Sequence, residues 1–236
     1  MNVATEYLRV AGLHAYYGES HILHGIDFEV RRGELVSLLG RNGAGRTTTL
    51  KAIMGLTDRR SGSIMINGTE AIRLPPHRVA RLRVGYCPEE RGIFSSLSAE
   101  ENLLLPPVVG SGGMSVDEIY EMFPNLATRR RSQGTRLSGG EQQMLALARV
   151  LRTGARLLLL DEITEGLAPV IVQTLGRAIT TLKSRDLTIV MVEQNFRFVE
   201  SLADRHYVIE QGQVVETVAA DELQAKAGLL ERYLSV

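Results

Sequence analysis

The chain contains no tryptophan, and cysteine occurs once, as Cys87, in 236 residues. A lone thiol rules out an internal disulfide and fits a reducing compartment, and Cys87 itself reads as a small buried hydrophobe at a strand end. Net charge is also missing. Lys and Arg number 27 and Asp and Glu 27, so the overall balance gives no reason to expect a nucleic-acid partner. No run approaches the roughly 18 apolar residues of a membrane span, and the N-terminus has no apolar signal region. The sequence therefore reads as soluble, with any membrane role reached through a partner. Charged residues at 23% and hydrophobic residues at 44% are those of an ordinary globular protein, which argues against general disorder.

A chain of this length can form one large domain or a core carrying a subdomain. Residues 7–10 and 26–30 read as short strands, and 63–66 followed by Asn67-Gly68 carries a hairpin signal; together they suggest an antiparallel β layer. Apolar runs at Leu35–Leu39, 157–160 and Thr188–Val192 look like buried parallel strands. Helical patterns at 47–54 and 168–183 lie between them, with Pro169 suited to a first helical turn. Such alternation predicts an α/β sheet with crossover helices. From about residue 89 to 152 no strand-like run occurs beyond Ile93-Phe94. Three capping-box starts stand there instead: Ser98 with Glu101, Ser115 with Glu118, and Ser138 with Glu141. Residues 106–113 are Pro/Gly-rich and read as a loop. The expected organisation is an α/β core built from 1–88 and 156–236, with a helical subdomain inserted over 89–155.

Gly40-Arg41-Asn42-Gly43-Ala44-Gly45-Arg46-Thr47-Thr48 has the spacing of a P-loop, behind a strand pattern and ahead of a helix pattern. Gly40, Gly43 and Gly45, with Asn42 and Ala44 between them, let backbone N–H groups surround phosphate oxygens with no Cβ in the way. The helix start adds its partial positive charge. Thr47 stands where a hydroxyl ligates Mg²⁺, and Thr48 where one donates to phosphate. A plain strand-to-helix turn needing several glycines is the competing reading, and the complete spacing disfavours it. Arg46 breaks the pattern, because a P-loop carries Lys there.

Asp161 follows four leucines, so it emerges at the carboxyl end of a buried strand, where α/β sheets place ligand chemistry. It is a candidate to hold Mg²⁺, and Glu162 to orient or deprotonate an attacking water. Alone, the pair reads as a solvated strand cap; beside a P-loop it reads as chemistry. Leu137-Ser138-Gly139-Gly140-Glu141-Gln142 is a second glycine-rich turn. Ser138 and Glu141 make it a helix N-cap, and a helix N-terminus with two glycines can also approach a phosphate presented by another subunit.

The P-loop, the Ser-Gly-Gly turn and the Asp-Glu pair, in that order, resemble the ATP-binding subunit of an ABC transporter over essentially the whole chain. The fold this implies is the P-loop NTPase core of an ABC ATPase. It has a mixed sheet, an antiparallel N-terminal layer and a helical subdomain carrying the signature Ser138-Gly139-Gly140. The resemblance also implies that Tyr17 stacks on adenine and that Glu89 occupies the Q-loop position and ligates Mg²⁺. Gly166-Leu167 then ends the D-loop, and Gln194 replaces the switch histidine. Pro88-Glu89-Glu90-Arg91-Gly92-Ile93-Phe94 and Glu165-Gly166-Leu167-Ala168-Pro169 look like the branch that energises import of branched-chain amino acids, with relatives serving urea and amides. That branch implies ATP and Mg²⁺ as cofactors, a second ATPase subunit in a heterodimer, two permease subunits, and a periplasmic solute-binding protein. The chain would then sit at the cytoplasmic face of the cell membrane.

Arg46 keeps a positive charge but is bulkier than Lys, and Gln194 cannot carry a proton's charge as His does. Two classes of function follow. In one, the chain's own site hydrolyses ATP, with Arg46 and Gln194 acting to slow it. In the other, the chain is a nucleotide-gated module whose signature turn completes a partner's site. ABC ATPases of translation or chromosome maintenance are disfavoured by the single nucleotide-binding unit, and small-molecule kinases by the Ser-Gly-Gly turn.

Overall fold

The computed structural model describes residues 6–234; the ends of the expected core, 1–5 and 235–236, lie outside the described residues. Strands β1 (Glu6–Tyr17), β2 (Ser20–Arg31) and β3 (Leu35–Leu39) lead into helix α1 (Arg46–Met54). Then come β4 (Arg59–Ile66), β5 (Thr69–Glu70), α2 (Pro76–Arg81) and β6 (Val84–Cys87). Helices α3 (Ala99–Leu104), α4 (Val116–Met122), α5 (Pro124–Thr128) and α6 (Gly139–Arg152) follow with no strand between them. The rest is β7 (Leu157–Asp161), α7 (Pro169–Ser184), β8 (Thr188–Val192), α8 (Phe196–Val199), β9 (Arg205–Glu210), β10 (Gln213–Ala219) and α9 (Leu223–Leu234).

β3, β7 and β8 are buried at every residue, because both faces of a parallel sheet are covered and nothing forces alternation. They form the centre of a sheet ordered β10-β9-β3-β8-β7-β6, parallel except for β10. A second sheet, β2-β1-β4-β5, is antiparallel. Helix α1 fills the space between them: Leu50 and Ile53 share one apolar cluster with Leu8 and Ile26 of one sheet and Val36 and Leu38 of the other. The fold is thus the mixed-sheet α/β architecture with an antiparallel layer.

Several expected elements change extent. The short strands at 7–10 and 26–30 belong to longer β1 and β2, where a register shift between Val10 and Leu13 breaks the alternation that sequence periodicity relies on. Asn67 (φ 45°) and Gly68 (φ 79°) do form a hairpin turn, joining β4 to β5. Ile93-Phe94 is not a strand. Fully buried Asn102 pins that irregular segment, accepting from the Phe94 N–H at 2.8 Å and donating to the carbonyls of Phe94, Leu97 and Ser98. All three capping boxes are present, each joining the Ser side chain and the Glu carboxylate to the other's backbone. Each serine cap is worth about 1 kcal/mol.

β9 and β10 carry no clean pattern, partly because β9 buries His206 beside Ser37 of β3. The Ser37 hydroxyl lies 2.7 Å from Nδ1, and Nε2 is buried without a partner. Burial lowers the imidazole from 6.5 to about 4, against the pull of Asp204. A depressed histidine favours the fold above the unfolded value, so its stabilisation disappears as pH falls from about 6.5 to about 4. That shift is worth on the order of 3 kcal/mol. We expect His206→Asn, which keeps an amide near Ser37, to flatten the stability–pH curve in that window. Parallel curves for the two proteins in urea unfolding would remove histidine as the cause.

Candidate active site

Strands β7, β8 and β3 lie side by side, and their carboxyl ends converge: Asp161 pairs with Val192, and Val192 with Leu38. Everything that follows those ends is delivered to one place, as open α/β sheets do. After β3 comes residues 40–48, after β7 Glu162, after β8 Glu193 and Gln194. Gly40 is required by contact as well as conformation. At φ 149° an added Cβ would run into the carbonyl of Ile209. Gly45 (φ 107°) ends the loop, and no side chain caps α1 there, so the helix N-terminus is left for a ligand.

A cleft of about 500 Å³ opens at this point. Asn42, Gly43, Gly45, Arg46, Thr47 and Thr48 line it together with Ile22, Glu89, Glu162, Glu165 and Gln194. Gly40 and Ala44 do not line it; Ala44 instead accepts from Gly212 N at 2.9 Å, tying the loop to the β9–β10 turn. Arg46 is only 4% exposed. Its guanidinium donates to the Glu193 carbonyl at 2.9 Å, to Asn42 Oδ1 at 3.2 Å and to Glu162 Oε1 at 3.0 Å. Gln194 Nε2 donates to the other Glu162 oxygen at 2.8 Å. The two substituted positions therefore grip one carboxylate between them. Glu162 itself has φ 47°, a left-handed conformation that costs a non-glycine residue about 1 kcal/mol or more.

The Asp161 carboxylate accepts from the Thr47 hydroxyl at 2.8 Å and from the Tyr86 hydroxyl at 2.8 Å. Glu89 lies not with that pair but with Glu162 and Glu165, one oxygen of each falling within 4.8 Å of the others. Burial raises the carboxyls of Asp161, Glu162 and Glu89. For Glu162 burial outweighs the lowering by Gln194 and Arg46, and Glu165 adds to the rise. Hard oxygen donors crowded together and penalised as anions by burial suit a divalent cation such as Mg²⁺, whose charge would relieve the crowding.

Four further expected site residues do not line the cleft. Tyr17 is 37% exposed at the end of β1; its neighbour Tyr16 packs instead, stacked on His21 at 4.2 Å. Ser138, Gly139 and Gly140 sit at the start of α6 and do not line the cleft within this chain. Tyr86, Glu165 and Glu193 are the contributors that sequence reasoning missed. Tyr86 lies in β6, a four-residue strand too short to recognise, and Glu193 directly precedes Gln194, which was the only signal available for it.

The geometry defines a P-loop nucleotide hydrolase: an uncapped helix start behind a glycine loop, a hydroxyl–aspartate pair and a carboxylate at the adjoining strand end. The model of the ABC transporter family matches residues 23–165, and the chain belongs to that family. It is an ATP-binding protein and ATPase of the ABC type. It is 41% identical over 203 residues to the high-affinity branched-chain amino acid transport ATP-binding protein BraG of Pseudomonas aeruginosa, covering 85% of this chain and 87% of the relative. The probable branched-chain amino acid transport ATP-binding protein LivF of Archaeoglobus fulgidus is 38% identical over 92% of this chain and 93% of its own. Escherichia coli LptB, a lipopolysaccharide export ATP-binding protein, is 33% identical over 85% of each. The solved structure of an ATP-binding subunit of an ABC transporter superposes with a TM-score of 0.81 at 27% identity, over 98% of this chain and 100% of that one.

Proposed function

We propose that the chain is the ATP-binding subunit of an importer for a small solute, with branched-chain amino acids the first candidates. The cleft carries the reading: one glycine loop brings Thr47 to Asp161 and Arg46 to Glu162, while Gln194 holds the second oxygen of Glu162. The solute class rests on the relatives BraG and LivF, and the export role of LptB is the rival for direction.

In this reading the loop amides and the α1 N-terminus hold the β- and γ-phosphates, with Thr48 donating to one of them. Thr47, Asp161 and Glu89 would hold Mg²⁺, which would neutralise phosphate charge. Tyr17 carries the adenine. Arg46 must leave Glu162 to reach phosphate oxygens, which frees the carboxylate to accept a proton from water while Gln194 keeps it oriented. Residues 1–88 and 156–236 act as the core, and 89–155 as the subdomain that presents Ser138, Gly139 and Gly140 to a second ATPase subunit in a heterodimer. Two permease subunits dock on the helical side, where Phe94, Leu104, Leu105 and Val108 are exposed, fed by a periplasmic solute-binding protein. The assembly places this chain at the cytoplasmic face of the cell membrane. Among the described residues no helix is long and apolar enough to cross it.

The latched Arg46 favours a second reading as well: a weakly hydrolysing, nucleotide-gated subunit whose signature turn completes the partner's site. Titrating the folded chain with ATP and Mg²⁺ tests the shared premise. Saturable binding below millimolar nucleotide, weakened about tenfold by Thr47→Ala in Mg²⁺ but unchanged in EDTA, is the expected result. No saturation at millimolar ATP would end both readings.

A further inference from the structure

Behind the cleft a carboxylate is buried that no step above uses. Glu193 is 2% exposed, and its oxygens accept from Thr164 twice, from the backbone N–H at 3.1 Å and from the hydroxyl at 2.7 Å. Thr164 is itself 6% exposed. Both donors are neutral, and burial pushes the Glu193 carboxyl up to about 7. A buried carboxylate matched only by neutral donors is a poor way to gain stability, because desolvating it costs more than two such bonds return. Apolar side chains of similar volume would hold the two segments together at lower cost. Position explains the pair better.

Glu193 stands between Val192 and Gln194, and Thr164 two residues beyond Glu162. The Glu162 N–H donates to the Val192 carbonyl at 2.8 Å, and the Glu193 carbonyl accepts from Arg46 at 2.9 Å. Gln194 reaches forward to Glu162 at 2.8 Å. The ends of β7 and β8 are thus joined on the cleft side by Gln194 and Glu162, and on the buried side by Glu193 and Thr164. The second link ties Thr164, and with it the turn that follows Glu162 and carries Glu165, to the end of β8.

We propose that Glu193 is a positioning residue for ATP hydrolysis: through Thr164 it fixes the turn carrying Glu162 against the strand end carrying Gln194. It touches neither nucleotide nor water. Its effect falls on the aim of Glu162, so it bears on turnover and not on nucleotide affinity. A misplacement of about 1 Å in a catalytic group costs on the order of a hundredfold in rate. The inference rests on the reading of Glu162 as the residue that meets the attacking water.

The test uses the complex purified through a tag on this chain, measured for single-turnover hydrolysis and for ATP–Mg²⁺ affinity. Thr164→Val keeps shape and removes the hydroxyl; Thr164→Ser restores it; Glu193→Gln keeps one acceptor; Glu162→Gln reports on the parent reading. We expect Thr164→Val to slow turnover about tenfold to a hundredfold with affinity within about threefold, and Thr164→Ser to recover at least half the rate. Glu193→Gln should slow turnover similarly, and the double variant with Thr164→Val should be no worse than either single one, since both cut the same link. Equal loss of affinity, turnover and melting temperature in Thr164→Val would overturn the proposal and leave a structural bond. A full rate in Thr164→Val and Glu193→Gln beside a slowed Glu162→Gln would overturn it while the parent reading stands. A full rate in Glu162→Gln would overturn both.

Discussion

Gly139→Asp will lower ATP turnover of the assembled transporter at least about a hundredfold while leaving this chain folded. Gly139 opens α6 behind the Ser138 cap, and the atoms nearest a Cβ built there belong to the guanidinium of Arg91, at 3.2–3.6 Å. Arg91 is long and anchored weakly, to Gln143 and Gln142 at 3.2 and 3.4 Å, so it can yield. A carboxylate in the first turn also suits the helix dipole, so the helix itself loses nothing. Gly140 contrasts with this: its added Cβ would press on Ile171 at 2.8–3.1 Å, inside the packing of α6 on α7. On the proposed assembly the harm at 139 would be electrostatic and would lie in another subunit's site. There the added carboxylate would stand at a helix N-terminus proposed to meet a γ-phosphate, and about 3 kcal/mol of repulsion at the transition state is a hundredfold in rate. Turnover of the complex and the melting temperature of the chain decide the matter together. An unchanged melt with more than a tenth of the activity would mean that this turn closes no phosphate site.

How much of this was visible beforehand depends on whether a residue's neighbours are local. The P-loop, the three capping boxes and the leucine strand ending in Asp161 are contiguous, and their chemistry is fixed by spacing, so they read directly. β3 and β8 match their apolar runs because a covered parallel sheet writes itself as an unbroken run. β9 does not, because it buries His206 within the run. Sequence singled out Arg46 and Gln194 separately as departures. Their common grip on Glu162 needed the adjacency of β3, β7 and β8, which no local pattern encodes. Glu193 was hidden for the same reason: its partner Thr164 lies 29 residues away.

That grip shapes the second large effect, at Arg46. Arg46→Ala will slow hydrolysis at this chain's own site by about two orders of magnitude, the rate equivalent of roughly 3 kcal/mol. It should nevertheless leave the assembled transporter measurably active. Alanine removes the cation from three acceptors at once and leaves Glu162, 8% exposed, with Gln194 as its remaining side-chain donor. Nucleotide binding suffers less, because backbone amides supply much of the cradle. Arg46→Lys should hold or raise activity. One ammonium cannot span the Glu193 carbonyl, Asn42 and Glu162 together, so the apo latch weakens while charge for the phosphate is kept. The contrast with Gly139→Asp carries the argument. If the two sites are shared between unlike subunits, this chain lends an intact signature turn to its partner and keeps an altered half-site for itself. Damage to what it lends must then exceed damage to what it keeps. The comparison requires the heteromeric assembly to be established by mass spectrometry of the purified complex, since a homodimer would contain the same altered half-site twice. Within a confirmed heteromer, an Arg46→Ala complex as silent as the Gly139→Asp one would show that this chain's own site drives transport, and the unequal-site reading would have to be abandoned.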